Sequence, residues 1–367
     1  MLKRFSVENF KSFKDKITLD FSNPGNYGFG LECVSEKTIT KGAIYGKSGI
    51  GKSNLGRAIF DIVNNLTDKV KELQKYAPFL NLDSVKPFAS FEYEFQFLNH
   101  VLLYKYTKKD TNVLLQETLL IDGKEMIFYD FRDRVGFSNF AGSESLNISS
   151  ESTVSRVKYI MNSAVLNDDN ELNKVLKLFK NFVERMLLFY SLRENGFIGF
   201  KESPGHIDKI IIESEKVADF ENFLNKAGFD LKLLVVDTPE GKTLYLKYQN
   251  GIVNFFQAAS SGILSLTLFY SWLISIEKCS FVYIDEFDAF YHHELSELII
   301  TELKKFKGVQ IFVSTHNTDL LSNKIFRPDC YYVLFKDKID SLNNLVEKDL
   351  RAANNLQKIF KKFELEN

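Results

Sequence analysis

Three short stretches of this sequence bring together residue types that can do chemistry on a phosphate. The first is Gly46-Lys47-Ser48-Gly49-Ile50-Gly51-Lys52-Ser53, followed by Asn54, and it fits G-x-x-x-x-G-K-[ST] at every position. Glycines let the backbone curl until successive N–H groups face a phosphate, and a helix opening at Lys52 adds the partial positive charge of its N-terminus. Lys52 is then placed to reach the β and γ phosphates of a nucleotide, and the Ser53 hydroxyl to ligate Mg²⁺. The second stretch, Phe281-Val282-Tyr283-Ile284-Asp285-Glu286, is an apolar run ending in two acids. Asp285 falls at the C-terminal edge of a strand, where open α/β sheets bind ligands, and is read as holding the Mg²⁺ shell. Glu286 is read as the general base that polarises an attacking water. The third stretch, Ser314-Thr315-His316, ends another apolar run one helix and one strand later. An imidazole there lies next to Asp285 and within reach of the γ-phosphate.

The elements that must hold these groups are legible as patterns. Residues 2–8 and 17–21 alternate like half-buried strands, and 43–63 reads as a short strand, a Gly-rich turn and an amphipathic helix. Alternation returns at 89–97, 101–107 and 113–121, which predicts a small antiparallel sheet attached to the nucleotide core. Residues 141–155, rich in Ser, Asn and Glu, mark a solvated loop. Helical spacing covers 170–192 and about 214–227, and a hairpin follows. After residue 256 the order is helix 260–277, strand 280–285, helix about 293–306 and strand 309–314, an alternation that builds a parallel sheet covered on both faces. The fold expected is α/β, a mostly parallel phosphate-loop core with an antiparallel β lobe and an inserted helical region. Residues 1–140 and 256–367 supply the two parts of the core, and 141–255 supplies a helical insertion and hairpin.

With the phosphate loop, the Ser260-Ser261-Gly262 triplet, Ile284-Asp285-Glu286 and Ser314-Thr315-His316 in this order, the chain resembles the ATP-binding-cassette branch of P-loop ATPases. Within it the likeness is to the family that includes chromosome-maintenance and recombination ATPases and short prokaryotic defence ATPases of the abortive-infection type. The opening MLKRFSVENFKSFKD, the tetrad GKSN and IDEFDAFYHHEL are also similar to that family. The match covers residues 1–60 and 255–335. It implies ATP and Mg²⁺ as cofactors, and a homodimer or higher homo-oligomer built around ATP. It also implies that Ser260, Ser261 and Gly262 form the signature that contacts the γ-phosphate held by the opposite subunit. The same Ser residues suit a helix N-cap on intrinsic grounds, and the two roles are compatible. Where the family signature continues with Gly-Gln or a basic residue, this chain has Ile263-Leu264-Ser265, a departure that points to weaker trans contacts or slow hydrolysis. Lys11 and Ser12 are expected to approach the nucleotide from the first hairpin, and Asp288 to link the two sites. Gln96 matches a glutamine loop only as a strand residue would.

Bulk properties narrow the functions. Lys+Arg (47) and Asp+Glu (48) nearly cancel, so net charge gives no indication of DNA binding, and any such contact must be local. Three dispersed cysteines, Cys33, Cys279 and Cys330, argue against a disulfide framework, and the N-terminus has no secretory apolar region. The apolar run 263–276 is shorter than a membrane span needs. A cytoplasmic protein without membrane association is expected. The 51 residues after His316 hold no acid cluster of nuclease type, and no N-K-x-D guanine motif occurs. The expectation is an ATPase that dimerises around ATP and controls a separate effector protein in anti-phage defence. A DNA-repair ATPase of recombination-mediator type and a non-hydrolytic nucleotide-sensing scaffold are the alternatives.

Overall fold

The computed structural model describes residues 1–69, 77–146, 153–191, 196–200, 207–288, 293–346 and 350–366. Among them, five parallel strands form the inner part of a seven-stranded sheet. Its spatial order is Gly196–Gly199, Met186–Ser191, Phe281–Ile284, Gln310–Ser314, Lys41–Tyr45, Tyr331–Leu334 and Ile339–Ser341. Only the two edge strands run antiparallel to their neighbours. Phe281–Ile284, Gln310–Ser314, Lys41–Tyr45 and Tyr331–Leu334 are buried at every position. Covered on both faces, they show mainly apolar runs rather than alternations.

A second seven-stranded sheet is antiparallel, in the order Val135–Ser138, Lys124–Asp130, Val113–Ile121, His100–Asp110, Ala89–Phe97, Leu2–Glu8 and Ile17–Asp20. Ala89–Phe97 alternates buried and half-buried along its length, as its sequence predicts. Lys124–Asp130 and Val135–Ser138 extend this sheet beyond the three strands expected there. The helices Lys52–Ile59 and Asp61–Leu66 pack against it, and the Tyr93 hydroxyl donates to the Ala58 carbonyl at 2.9 Å. Directly between the sheets, the Phe21 and Phe312 rings lie 4.4 Å apart. Buried Gln310 joins the two sheets, accepting from Leu2 N at 2.7 Å and donating to Leu2 O at 2.9 Å.

One expected element is corrected. The helix expected over 170–192 stops at Glu184, and Met186–Ser191 is a core strand that pairs in parallel with Phe281–Ile284. Met186, Leu187, Leu188 and Phe189 are fully buried, and such a run has no periodicity to separate strand from helix. The region 141–255 therefore gives the mostly parallel sheet two strands, Met186–Ser191 and the edge strand Gly196–Gly199. It also contains the helices Arg156–Ser163, Glu171–Glu184, Ile207–Glu213 and Val217–Lys226, and the antiparallel strands Leu233–Thr238, Gly241–Tyr248 and Gly251–Asn254. Among the described residues no helix is long and apolar enough to cross a membrane.

Candidate functional site

The phosphate loop leaves the C-terminal end of Lys41–Tyr45 and enters Lys52–Ile59. Gly46 is buried, whereas Lys47, Ser48 and Gly49 are exposed. Gly49 and Gly51 have φ of +78° and +117°, conformations that glycine adopts without a Cβ penalty. At Gly51 a Cβ would also stand 2.4 Å from Ser12 Oγ. Lys52 is 5% exposed, and its ammonium donates to Gly46 O at 2.8 Å and Lys47 O at 3.3 Å. Burial lowers the Lys52 pKa, and the nearby charges of Glu286, Asp285 and Asp288 oppose that shift. The phosphate-loop lysine and the acidic cluster therefore share one electrostatic environment.

Strand order explains that convergence. Gln310–Ser314 lies between the strand of Asp285 and the strand of the phosphate loop, so the sheet's C-terminal edge gathers all three motifs. Ser314 Oγ donates to Asp285 Oδ1 at 2.5 Å and accepts from Glu286 N at 2.9 Å. Thr315 Oγ1 donates to Asp288 Oδ2 at 2.8 Å. Asp285 is 7% exposed; burial raises its pKa, while hydrogen bonds from Ser314 and Ser53 lower it. The Tyr283 hydroxyl donates to Lys52 O at 3.0 Å and ties the acidic strand to the start of the phosphate-loop helix. Glu286 is exposed and has φ +47°, an uncommon conformation for a residue with a side chain and one that concentrates at functional sites. His316, also exposed, follows Thr315 on the same edge.

Of the first hairpin, Ser12 meets the phosphate loop. Asn54 Nδ2 donates to Ser12 Oγ at 3.1 Å, so Ser12 and Asn54 brace the loop from outside. Lys11 has φ +49°, and its ammonium donates to Pro78 O at 3.3 Å. Burial, with Arg57 nearby, lowers its pKa to about 8.

Ser260, Ser261 and Gly262 open the helix Ser261–Ile276. Ser260 is its N-cap, with Oγ accepting from Ile263 N at 3.4 Å. Ser260 and Ser261 are exposed, and a Cβ on Gly262 would meet nothing closer than Ser260 Oγ at 4.0 Å. The Trp272 ring packs 4.2 Å from Phe189, which pairs with Ile284 at the C-terminal end of its strand. At 1.5 Å per residue, the helix from Trp272 back to Ser261 spans about 16 Å. The two serines of the triplet are thus solvent-exposed about three turns ahead of the Trp272 contact. Gln96 sits in the strand Ala89–Phe97, its side chain donating to Leu98 O at 3.2 Å. Of the IDEFDAFYHHEL stretch, residues 289–292 lie outside the described residues.

Ser314 and Tyr283 are the site residues whose contacts sequence reasoning missed. Both sit in motifs that the sequence marks, but their partners depend on which strands are neighbours.

Fold and site together define a P-loop ATPase. The chain belongs to the family described as "AAA domain, putative AbiEii toxin, Type IV TA system", which matches residues 43–322. No curated protein sequence matches the chain significantly. Among solved structures it is similar to the SMC head domain from Thermotoga maritima, with 16% identity, 93% of this chain and 97% of that chain covered, and a TM-score of 0.44. It is also similar to the Smc head domain with an extended coiled coil bound to the C-terminal domain of ScpA, derived from Pyrococcus furiosus. That likeness has 14% identity, covers 100% of this chain and 99% of that chain, and has a TM-score of 0.45. Likenesses this loose bear on neither ligand nor partner.

Proposed function

We propose that the chain binds ATP with Mg²⁺, pairs with a second copy around the nucleotides, and hydrolyses ATP to control a separate effector protein in defence against phage or mobile DNA. The observation that carries the reading is the convergence of Lys52, Asp285 and Glu286 at one sheet edge, with Ser314 holding both the Asp285 carboxylate and the Glu286 backbone.

The residues present fit the cofactors. Ser53 and Asp285 offer a hydroxyl and a single carboxylate, the sparse oxygen set that suits Mg²⁺ shared with phosphates and water. When bound, the ion would offset charge on the phosphate oxygens. Lys52 is held by loop carbonyls with its charge unneutralised by any carboxylate at bonding distance among the described residues, which suits an anionic ligand. Glu286 is positioned to accept a proton from water, and His316 to donate a hydrogen bond from the neighbouring strand end. Lys11, Ser12 and Asn54 support the loop from the first hairpin. Ser260, Ser261 and Gly262 serve the partner copy's nucleotide.

The family's description, which names a toxin of a Type IV TA system, supports a defence role. Turnover measurements test the enzyme reading. Glu286→Gln is expected to retain ATP binding and lose at least about a hundredfold in hydrolysis rate, within the usual contribution of a general base. Equal turnover in the variant and the wild type would leave a nucleotide-sensing scaffold instead.

A further inference from the structure

At the edge of the parallel sheet opposite the phosphate loop is a cavity of about 520 Å³. Its size is within the range that holds small-molecule ligands. Lys41, Lys304, Lys305 and Lys307 line it, against one acid, Glu32. Two of these cations are already matched: Lys304 to Glu32 at 2.6 Å and Lys305 to Glu302 at 2.6 Å. Lys41 and Lys307 are not matched by a carboxylate among the described residues.

Lys41 is the informative one. It opens the strand Lys41–Tyr45, is 2% exposed, and its ammonium donates to a single acceptor, Val309 O, at 2.5 Å. Lysines at a helix end are commonly a solvated face that favours the helix dipole. That explanation covers Lys304, Lys305 and Lys307, but not a lysine buried at the start of a central strand. A buried cation without a counter-charge is costly, and an anion in the cavity would remove that cost. Burial holds the Lys41 pKa down at about 8, against the opposing influence of the nearby Cys33 and Cys330 thiols. Phe306 adds an aromatic wall, so the cavity offers apolar surface beside its positive charge.

We propose that this cavity binds a small phosphorylated organic molecule, its phosphoryl group held by Lys41 and Lys307 and its organic body laid against Phe306. The site is separate from the phosphate loop, since the strand Lys41–Tyr45 stands between them, a length of about 17 Å at 3.3 Å per residue. It is also connected to that loop, because Lys41 begins the strand that leads into Gly46, and Gly308 precedes the strand that ends at Ser314.

Calorimetric titration of the Lys52→Ala protein, whose phosphate loop is weakened, tests the assignment with two probes: AMP and inorganic pyrophosphate. Both are expected to bind one site per chain, AMP more tightly. Lys307→Glu in that background should weaken both at least tenfold, while Lys361→Glu, an exposed change elsewhere, should leave them unaltered. Lys307 is itself exposed, so its replacement tests the site without disturbing the core. Absence of binding by both probes, or binding that survives Lys307→Glu, overturns the site. Pyrophosphate binding as tightly as AMP, with both lost in Lys307→Glu, retains the phosphoryl site and overturns the contact with an organic body.

Discussion

Asp285 is held 7% exposed at the end of an apolar strand, where burial raises its pKa more than the Ser314 and Ser53 hydroxyls lower it. The folded chain therefore binds this proton more readily than the unfolded chain. Stability from this group is greatest below the ordinary carboxylate range and declines as pH rises through the raised value. Asp285→Asn keeps the shape and removes that decline. It is expected to be more stable than wild type in urea titrations near about pH 8, with the gap closing near about pH 4, and to lose ATP turnover. Residues of this kind were legible because their signals are contiguous: the phosphate loop is eight consecutive positions, and Asp285 and Glu286 directly end an apolar run. Ser314 carries no such signal by itself. Its hold on Asp285 and on the Glu286 backbone follows from strand neighbours far apart in sequence.

Among the elements, the phosphate-loop helix Lys52–Ile59 approaches the acidic strand through Gly56. A Cβ there would stand 2.9 Å from Tyr283 Cε1 and 3.3 Å from Leu188 Cδ1. Alanine favours a helix over glycine by about 1 kcal/mol, whereas forcing volume into a packed interior costs about 1–3 kcal/mol. Gly56→Ala is therefore expected to lower unfolding free energy by up to about 2 kcal/mol despite its better helix propensity. Chemical denaturation measures it, and a gain in stability would show that the helix can shift away from Tyr283. Leu188, which helps to make that contact tight, belongs to the strand read from sequence as the second half of a helix. Half-buried strands such as Ala89–Phe97 announce themselves by alternation, but Met186–Ser191 is covered on both faces and has no alternation to show. The start of Ser261–Ile276 was legible because capping is local chemistry: Ser260 Oγ accepts from Ile263 N, three residues on.

On the scale of the whole molecule, the helix Asp61–Leu66 is fixed to the antiparallel sheet by buried polar contacts that no local pattern reveals. Lys108 of the antiparallel sheet donates to Asp61 at 2.9 Å, Tyr106 donates to the same carboxylate at 2.8 Å, and Lys108 and Asp61 are 1% and 0% exposed. Lys108→Met strands that carboxylate and is expected to cost about 3–5 kcal/mol, with Asp61→Asn in the same background recovering part of the loss. Denaturation of the single and double variants measures this coupling, and independent losses would show that the pair does not join helix and sheet energetically. The α/β class was readable from the helix and strand alternation after residue 256. The place of Met186–Ser191 beside the acidic strand was not, because it requires a long-range pairing. What remains most exposed to test is the proposed shared site at Ser260, Ser261 and Gly262, whose serines are exposed. Sedimentation velocity of the Glu286→Gln protein, with and without ATP and Mg²⁺, tests it directly. The account predicts a dimer only when ATP is present, abolished by adding Ser261→Arg while each chain still binds ATP. An ATP-dependent dimer that persists with Ser261→Arg would contradict it.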